Sequence, residues 1–82
     1  MSEGLEPLTI FVKALEDPKG KIYLILIEHR RQPGPPAVSR KTILAMTRIH
    51  EATVDRSLRW LVKKGLIDKY QGRQEVYYYA TA

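Results

Sequence analysis

Apolar positions along this chain recur at helical spacing in its first two thirds and switch to a strand-like period near the end. Leu8, Phe11, Val12 and Leu15 return at three, one and three, which is the stripe of a short amphipathic helix. Pro7 suits its first turn, where the missing N–H costs nothing, and the polar stretch 1–6 before it is expected to be loosely ordered. Asp17-Pro18 then punctuates the chain. An aspartate can cap a helix by accepting from the free amides of the next turn, and a proline fits the first helical position. The spacing predicts a second helix over about Pro18–Arg31. Ile22, Ile25 and Leu26 form its stripe, and Tyr23, Leu24 and Ile27 widen it until most of its middle is apolar. Such a helix is central, or it buries a face against another chain. The run IYLILI also fits a buried strand; its flanks, Pro-Lys-Gly-Lys and Glu-His-Arg-Arg, favour helix. Gln32-Pro33-Gly34-Pro35-Pro36 ends it, and residues 32–38 read as a Pro/Gly linker.

Ser39 can cap the next helix, with Arg40, Lys41 and Thr42 in its first turn and Ile43, Leu44 and Met46 as its apolar positions. Two cations at a helix N-terminus oppose the macrodipole, which a phosphate lying across that end would offset; plain tolerance at a solvated end is the other reading. A further helix carries Val54, Leu58, Leu61 and Val62 on one stripe and Glu51, Asp55, Arg56, Arg59 and Lys63 on the other face, and Gly65 is set to end it in a left-handed cap. A short helix crossed by a second with a polar outward face is the helix-turn-helix arrangement, in which the second helix lies in the major groove of DNA. After Gly65 two runs of β-formers, Leu66–Tyr70 and Glu75–Ala80, flank Gln71-Gly72-Arg73-Gln74. They read as a hairpin whose turn Gly72 permits and whose tip carries Arg73. In VYYYA, Val76, Tyr78 and Ala80 point one way and Tyr77 and Tyr79 the other, so both faces are expected to be covered, one by the helices and one by a neighbouring element.

Composition and charge narrow the reading. Eighty-two residues make one small domain, and 44% hydrophobic with 28% charged is ordinary for a soluble globular chain. The absence of cysteine rules out disulfides, thiolate metal sites and a cysteine nucleophile. The six apolar residues of IYLILI are too few to cross a bilayer, so a cytoplasmic, nucleoid-associated setting without membrane contact is expected. Residues 1–27 hold 3 basic and 4 acidic side chains, whereas residues 28–82 hold 11 and 5, so the net charge of +5 sits on the helix-turn-helix part. A positive field there draws a polyanion, although a solvated basic surface kept for solubility has the same composition. No Ser/His/Asp grouping, metal cluster or glycine-rich phosphate loop stands out, so an enzyme is not expected, nor is a cofactor or metal.

Helices followed by a hairpin at this spacing resemble the winged helix-turn-helix regulators, most nearly the ArsR-type repressors and their archaeal relatives, with MarR-type proteins further off. KALEDP at Lys13–Pro18 looks like the family's Leu-x-Asp-Pro entry to its second helix. ATVDRSLRWLVKKGLI at Ala52–Ile67 is similar to its Thr-Val-Ser-x-x-Leu-x-x-Leu-x-x-x-Gly-Leu-Ile run. GRQEVYYYAT at Gly72–Thr81 looks like its Gly-Arg-x-x-x-Tyr-x-Leu-Thr wing, with Tyr78 at the tyrosine and Ala80 at the leucine. The likeness covers roughly residues 11–81 and implies a mainly α fold of about four helices followed by a two-stranded wing at 66–81, all in one domain. It also implies a transcriptional regulator. Four departures stand out. Arg48 sits where the turn usually offers glycine, so either it adopts a left-handed conformation or the turn is built differently. His50 replaces a serine or threonine cap. The family's metal-sensing cysteines have no counterpart, and His29 reads as an ordinary helix residue. The chain stops at the wing, without the last helix many relatives use to dimerise, so a homodimer is expected through the first two helices or the wing strand.

On this reading double-stranded DNA is the partner, and roles follow from position. His50, Glu51, Thr53, Asp55, Arg56 and Arg59 project from the start of the recognition helix toward base edges, with Arg56 the best match to the two acceptors of guanine. Glu51 and Asp55 either accept from cytosine amines or, as favoured here, hold Arg56 and Arg59 through i, i+4 pairs. Arg40, Lys41, Lys63, Lys64 and Lys69 are phosphate candidates that position rather than specify, and Arg73 at the wing tip suits a minor groove. Lys63 and Lys64 also complement the helix dipole whatever the partner, Trp60 is expected to pack against the wing or the first helix, and the tyrosines to be core or interface. The rival readings are a protein-interaction module on the same fold and a non-specific architectural nucleic-acid binder.

Overall fold

The computed structural model describes residues 17–81, and the helix expected around Leu8–Leu15 lies outside them. Among the described residues, three helices pack on a three-stranded antiparallel sheet, in the order α1 (Pro18–Arg31), β1 (Val38–Ser39), α2 (Arg40–Thr47), α3 (Glu51–Lys63), β2 (Ile67–Gln71) and β3 (Val76–Ala80). The apolar run of α1 is helical, as its flanks favoured. Asp17 caps it by accepting from the Lys19 N–H at 2.9 Å, and Pro18 occupies the first turn. Gln32 closes it in extended backbone, and the His29 Nε2 and Pro35 carbonyl oxygen, 3.1 Å apart, tie the proline stretch back to the last turn.

Short sequence signals hold α2 and α3. The Ser39 hydroxyl accepts from the Thr42 N–H at 3.1 Å, so one residue both ends β1 and caps α2. Arg48 then adopts the left-handed conformation, φ 56° and ψ 23°, and its N–H reaches the Leu44 carbonyl. The turn thus takes the first of the two forms expected for a chain without glycine there. His50 caps α3 with a ring nitrogen, Nδ1 accepting from the Ala52 N–H at 3.2 Å. At its other end, Gly65 (φ 76°) donates to the Val62 carbonyl and Leu66 to the Leu61 carbonyl, the paired bonds of a Schellman stop.

The sheet differs from the expected two-stranded wing. β2 and β3 pair from Ile67↔Ala80 to Gln71↔Val76, and β1 adds a third strand on the far side of β3 through Val38↔Tyr78 and Ser39↔Tyr77. The end of the supposed linker is therefore sheet. Gly72 is needed for space rather than for a left-handed backbone: a Cβ there would lie 2.5 Å from the Tyr77 ring. Among the described residues, the face of β3 away from the helices is met by its own sheet neighbour, Tyr70 stacking on Tyr77 at 5.3 Å and meeting Tyr79 at 6.3 Å.

One core unites every element. Ile22 and Leu26 from α1, Ile43 from α2, Val54, Leu58 and Leu61 from α3, and Val38, Ile67, Tyr78 and Ala80 from the sheet are buried together. Burying a Leu or Ile side chain contributes about 1.5–3 kcal/mol, so the three residues of α3 fix that helix firmly to the body. Among the described residues, Ser39, Thr47 and Ser57 are the buried polar ones. Two of these hydroxyls donate back within their own helix, Thr47 to the Ile43 carbonyl at 2.9 Å and Ser57 to the Thr53 carbonyl at 2.8 Å. Beyond the core, Arg30 donates to the Ala80 carbonyl at 3.2 Å, and Thr81 bonds the carbonyls of Gly65 and Leu66, fastening the end of β3 to both α1 and the start of β2.

Candidate nucleic-acid interface

The outward side of α3 carries a run of exposed charge. Ala52, Arg56, Arg59 and Lys63, spaced four, three and four, lie on one ridge opposite the buried Val54 and Leu61, and all four are exposed. Among the described residues Arg56, Arg59 and Lys63 make no ion pair. The two acidic residues at the start of the helix stand to one side of this ridge. Their partner is not Arg56 or Arg59, as i, i+4 pairing suggested, but Arg40 at the start of α2. Its Nε and Nη2 donate to the two carboxylate oxygens of Asp55 at 2.8 and 2.9 Å, and Nη2 also donates to Glu51.

This correction reassigns three residues. A planar guanidinium gripping a carboxylate with two parallel bonds is the strongest geometry an ion pair adopts, and here it joins the first turns of α2 and α3. Arg40 is half-buried, with Nε and Nη2 both engaged by the two carboxylates. The hydrogen bonds it donates to Asp55, then to Glu51, raise its pKa still further above the ordinary arginine value. The Arg40 hydrogen bonds in turn hold the Asp55 carboxyl below its usual range, with Arg59 adding to the same effect through space. Asp55 and Glu51 thereby share one counter-charge to the side of the ridge. Tyr78, buried beneath this corner, has its phenol pKa raised by burial and by the nearby Asp55.

The remaining predicted contacts fall into groups that sequence spacing does not reveal. Arg59, Lys63 and Lys69 rim a depression of about 290 Å³ between α3 and β2, floored by Leu58, Val62 and Tyr78. Thr53 and Arg56 share a second, of about 280 Å³, with Trp60, Pro18 and Lys19. Lys41 lies apart, beside Arg40 in an open groove of about 550 Å³ that runs toward Gln74 and Glu75 of the hairpin loop. Arg73 is exposed in that loop, in none of these depressions. His50 is exposed, with Nδ1 committed to the helix cap.

Two residues join this surface that the sequence reading left out of it. Trp60, 41% exposed, lies beside the first turn of α1, the second helix of the sequence pattern (the first lies outside the described residues), and the ammonium groups of Lys19 and Lys64 lie 5.4 and 5.6 Å from its ring centroid. Cations at that distance are held by the ring's quadrupole, typically worth about 0.5–1 kcal/mol at an exposed site. Lys19, also 3.6 Å from Asp17, is distant from α3 in sequence, and no periodicity in the chain pointed to it.

Among the described residues no helix is long and apolar enough to cross a membrane, and no group of three or more His, Asp or Glu side chains is arranged to hold a metal ion. Compared with protein-family models, with curated proteins and with solved structures, the chain finds no match in any of the three.

Proposed function

We propose that this chain binds double-stranded DNA as a winged helix-turn-helix protein of the ArsR-like kind and serves in transcription regulation. In this reading α3 enters the major groove and the β2–β3 hairpin is the wing, lying on the minor groove or the adjacent backbone. The observation that carries it is the ridge Ala52-Arg56-Arg59-Lys63, which offers three exposed cations and no carboxylate, because Arg40 engages both Glu51 and Asp55. A straight cationic ridge on a helix matches a groove walled by phosphates. The small Ala52 at its start lets the backbone approach base edges.

Roles follow from reach. Arg56 and Arg59 are the base readers, since a guanidinium fork matches the N7 and O6 acceptors of guanine, and Thr53 meets a thymine methyl or a phosphate. Lys63, Lys64 and Lys69 sit further along α3 and on β2, where they meet phosphates and set register, with Lys41 doing the same from α2. Arg73, exposed in the hairpin loop, suits a narrow minor groove. Arg40, Glu51 and Asp55 act on each other rather than on DNA.

The test is a salt titration of binding to a duplex selected from a random pool and to an unselected one. Each phosphate neutralised contributes about −0.9 to the slope of log affinity against log salt. Arg56→Ala is expected to narrow the gap between the two duplexes, with a loss of about 1–3 kcal/mol on the selected one. Lys69→Ala should weaken both alike and make the slope shallower by about one. A slope near zero for the unaltered chain points instead to a protein partner on this face. A steep slope with no preference between duplexes points to architectural binding.

A further inference from the structure

Neither Trp60 nor Lys19 has a part in the contacts assigned so far, although both adjoin the cationic ridge. Steps of four along α3 set Arg56, Trp60 and Lys64 in a line down the flank that meets α1, and all three are exposed. The first turn of α1 brings Pro18 and Lys19 to the same flank, where they share a depression of about 280 Å³ with Thr53, Arg56 and Trp60. Lys19 and Lys64, from different elements, both hold their ammonium groups over the one indole, at 5.4 and 5.6 Å.

An aromatic face orients a cation without cancelling it, because the ring offers a quadrupole and no net charge. A carboxylate does both, as Asp55 and Glu51 do for Arg40. Among the described residues Lys64 has no carboxylate within ion-pair distance. Lys19 has one, Asp17 at 3.6 Å, whose oxygen also accepts from the Lys19 N–H to cap α1. Three cations against one carboxylate leave this flank positive, with two of the cations held in place by a neutral ring.

The opposite flank of α3 is built to the same plan from another element. There Lys69 of β2 rims a depression with Arg59 and Lys63. A helix seated in a major groove about 12 Å wide has a sugar–phosphate strand on either side. The body thus places a lysine from outside α3 beyond each flank of the helix, Lys19 on one side and Lys69 on the other. We propose that Lys19, positioned with Lys64 by the Trp60 ring, is a phosphate contact on the DNA strand that runs along the α1 side of the groove. The inference rests on the DNA-binding reading of α3 and extends it to α1. Trp60 acts in it as a positioning residue.

The test uses the full chain and follows binding to labelled selected and unselected duplexes by anisotropy across a salt series. Lys19→Gln is expected to weaken both duplexes alike, by about eightfold at 0.1 M salt, and to make the salt slope shallower by about 0.9, the value for one phosphate contact. Lys19→Arg should restore both quantities. Lys21→Gln removes the same charge from an exposed site of α1 that lines a different groove, and should leave the slope unchanged. Trp60→Leu keeps every charge, so it should lower affinity roughly two- to fivefold at an unaltered slope, with Trp60→Phe between it and the unaltered chain. Trp60 is also the single tryptophan of the chain, and its emission should become protected from acrylamide when unlabelled duplex is added. Duplex binding in which Lys19→Gln and Lys21→Gln behave alike overturns the Lys19 contact and leaves the reading of α3 standing. Binding that leaves Trp60 as open to acrylamide as in the free chain does the same. Failure of the unaltered chain to bind any duplex overturns both.

Discussion

Arg40 decides how the two carboxylates of α3 behave. Its fork closes on Asp55 with two bonds of 2.8 and 2.9 Å and leaves a third donor for Glu51. Asp55 is partly exposed, so water screens the pair, and its contribution to stability is about 1 kcal/mol. Its dependence on pH follows from the direction of the shift. The folded-state carboxyl titrates below the ordinary value of 3.8 because Arg40 hydrogen-bonds the charged form. The stabilisation is therefore complete above 3.8 and is lost as pH falls through the lower folded-state value. Asp55→Asn keeps the shape and removes the charge. Its denaturant midpoint is expected to lie below that of the unaltered chain at pH 7, and the two should converge as the solution is acidified below the carboxylate range. A gap that stays constant down to that acid limit would mean the asparagine perturbs packing, not the ion pair.

Elements were legible where their signal is local. α1 and α3 are long enough for their core residues, two in α1 and three in α3, to mark a face, and Asp17-Pro18 and Gly65 mark ends by their own backbone chemistry. The hairpin showed through its runs of β-formers. β1 did not, because two residues carry no period and Val38-Ser39 becomes a strand only by pairing with Tyr78 and Tyr77, far along the chain. The fork between α2 and α3 was hidden for the same reason: spacing within a helix reports neighbours at i+3 and i+4, and the better partner of Asp55 lay on the preceding helix. Gly72 invited a turn argument, while its constraint comes from a ring on the opposite strand. The α2–α3 turn is a mixed case. Arg48 was flagged as the residue standing where a glycine is usual, and it does sit at φ 56°. A side chain with a Cβ is strained there by about 1–2 kcal/mol, partly offset by glycine's greater freedom in the unfolded chain. Arg48→Gly should therefore stabilise the fold by about 0.5–1 kcal/mol, read as a rise in denaturant midpoint with an unchanged slope. A fall would show that the arginine side chain supports the turn by contacts that outweigh its backbone strain.

At the scale of the whole molecule the net charge of +5 matters less than its arrangement. The fold gathers Arg59, Lys63 and Lys69 from α3 and β2 around one depression and leaves Arg56 beside Lys19 and Trp60 around another, with the exposed ridge of α3 between them. Two carboxylates at the start of that same helix would oppose a polyanion if Arg40 did not hold them. In the proposed DNA-binding reading Arg40 works at a distance: it need not touch a phosphate to matter, because removing it exposes two negative charges beside the groove-facing ridge. Arg40→Gln is expected to weaken duplex binding, and so would the loss of a direct phosphate contact, so the single variant cannot distinguish them. Adding Glu51→Gln and Asp55→Asn does. If Arg40 is an internal counter-charge, the triple variant carries no net charge at this corner and should bind at least as well as the unaltered chain, with an undiminished salt slope. If Arg40 instead holds a phosphate, the triple variant should keep a slope shallower by about 0.9, the value for one lost contact, whatever its affinity. The pairing seen between the helix starts favours the first outcome, because the edge of the guanidinium formed by Nε and Nη2 is already held by two carboxylates and would have to break those bonds to turn toward the backbone of DNA.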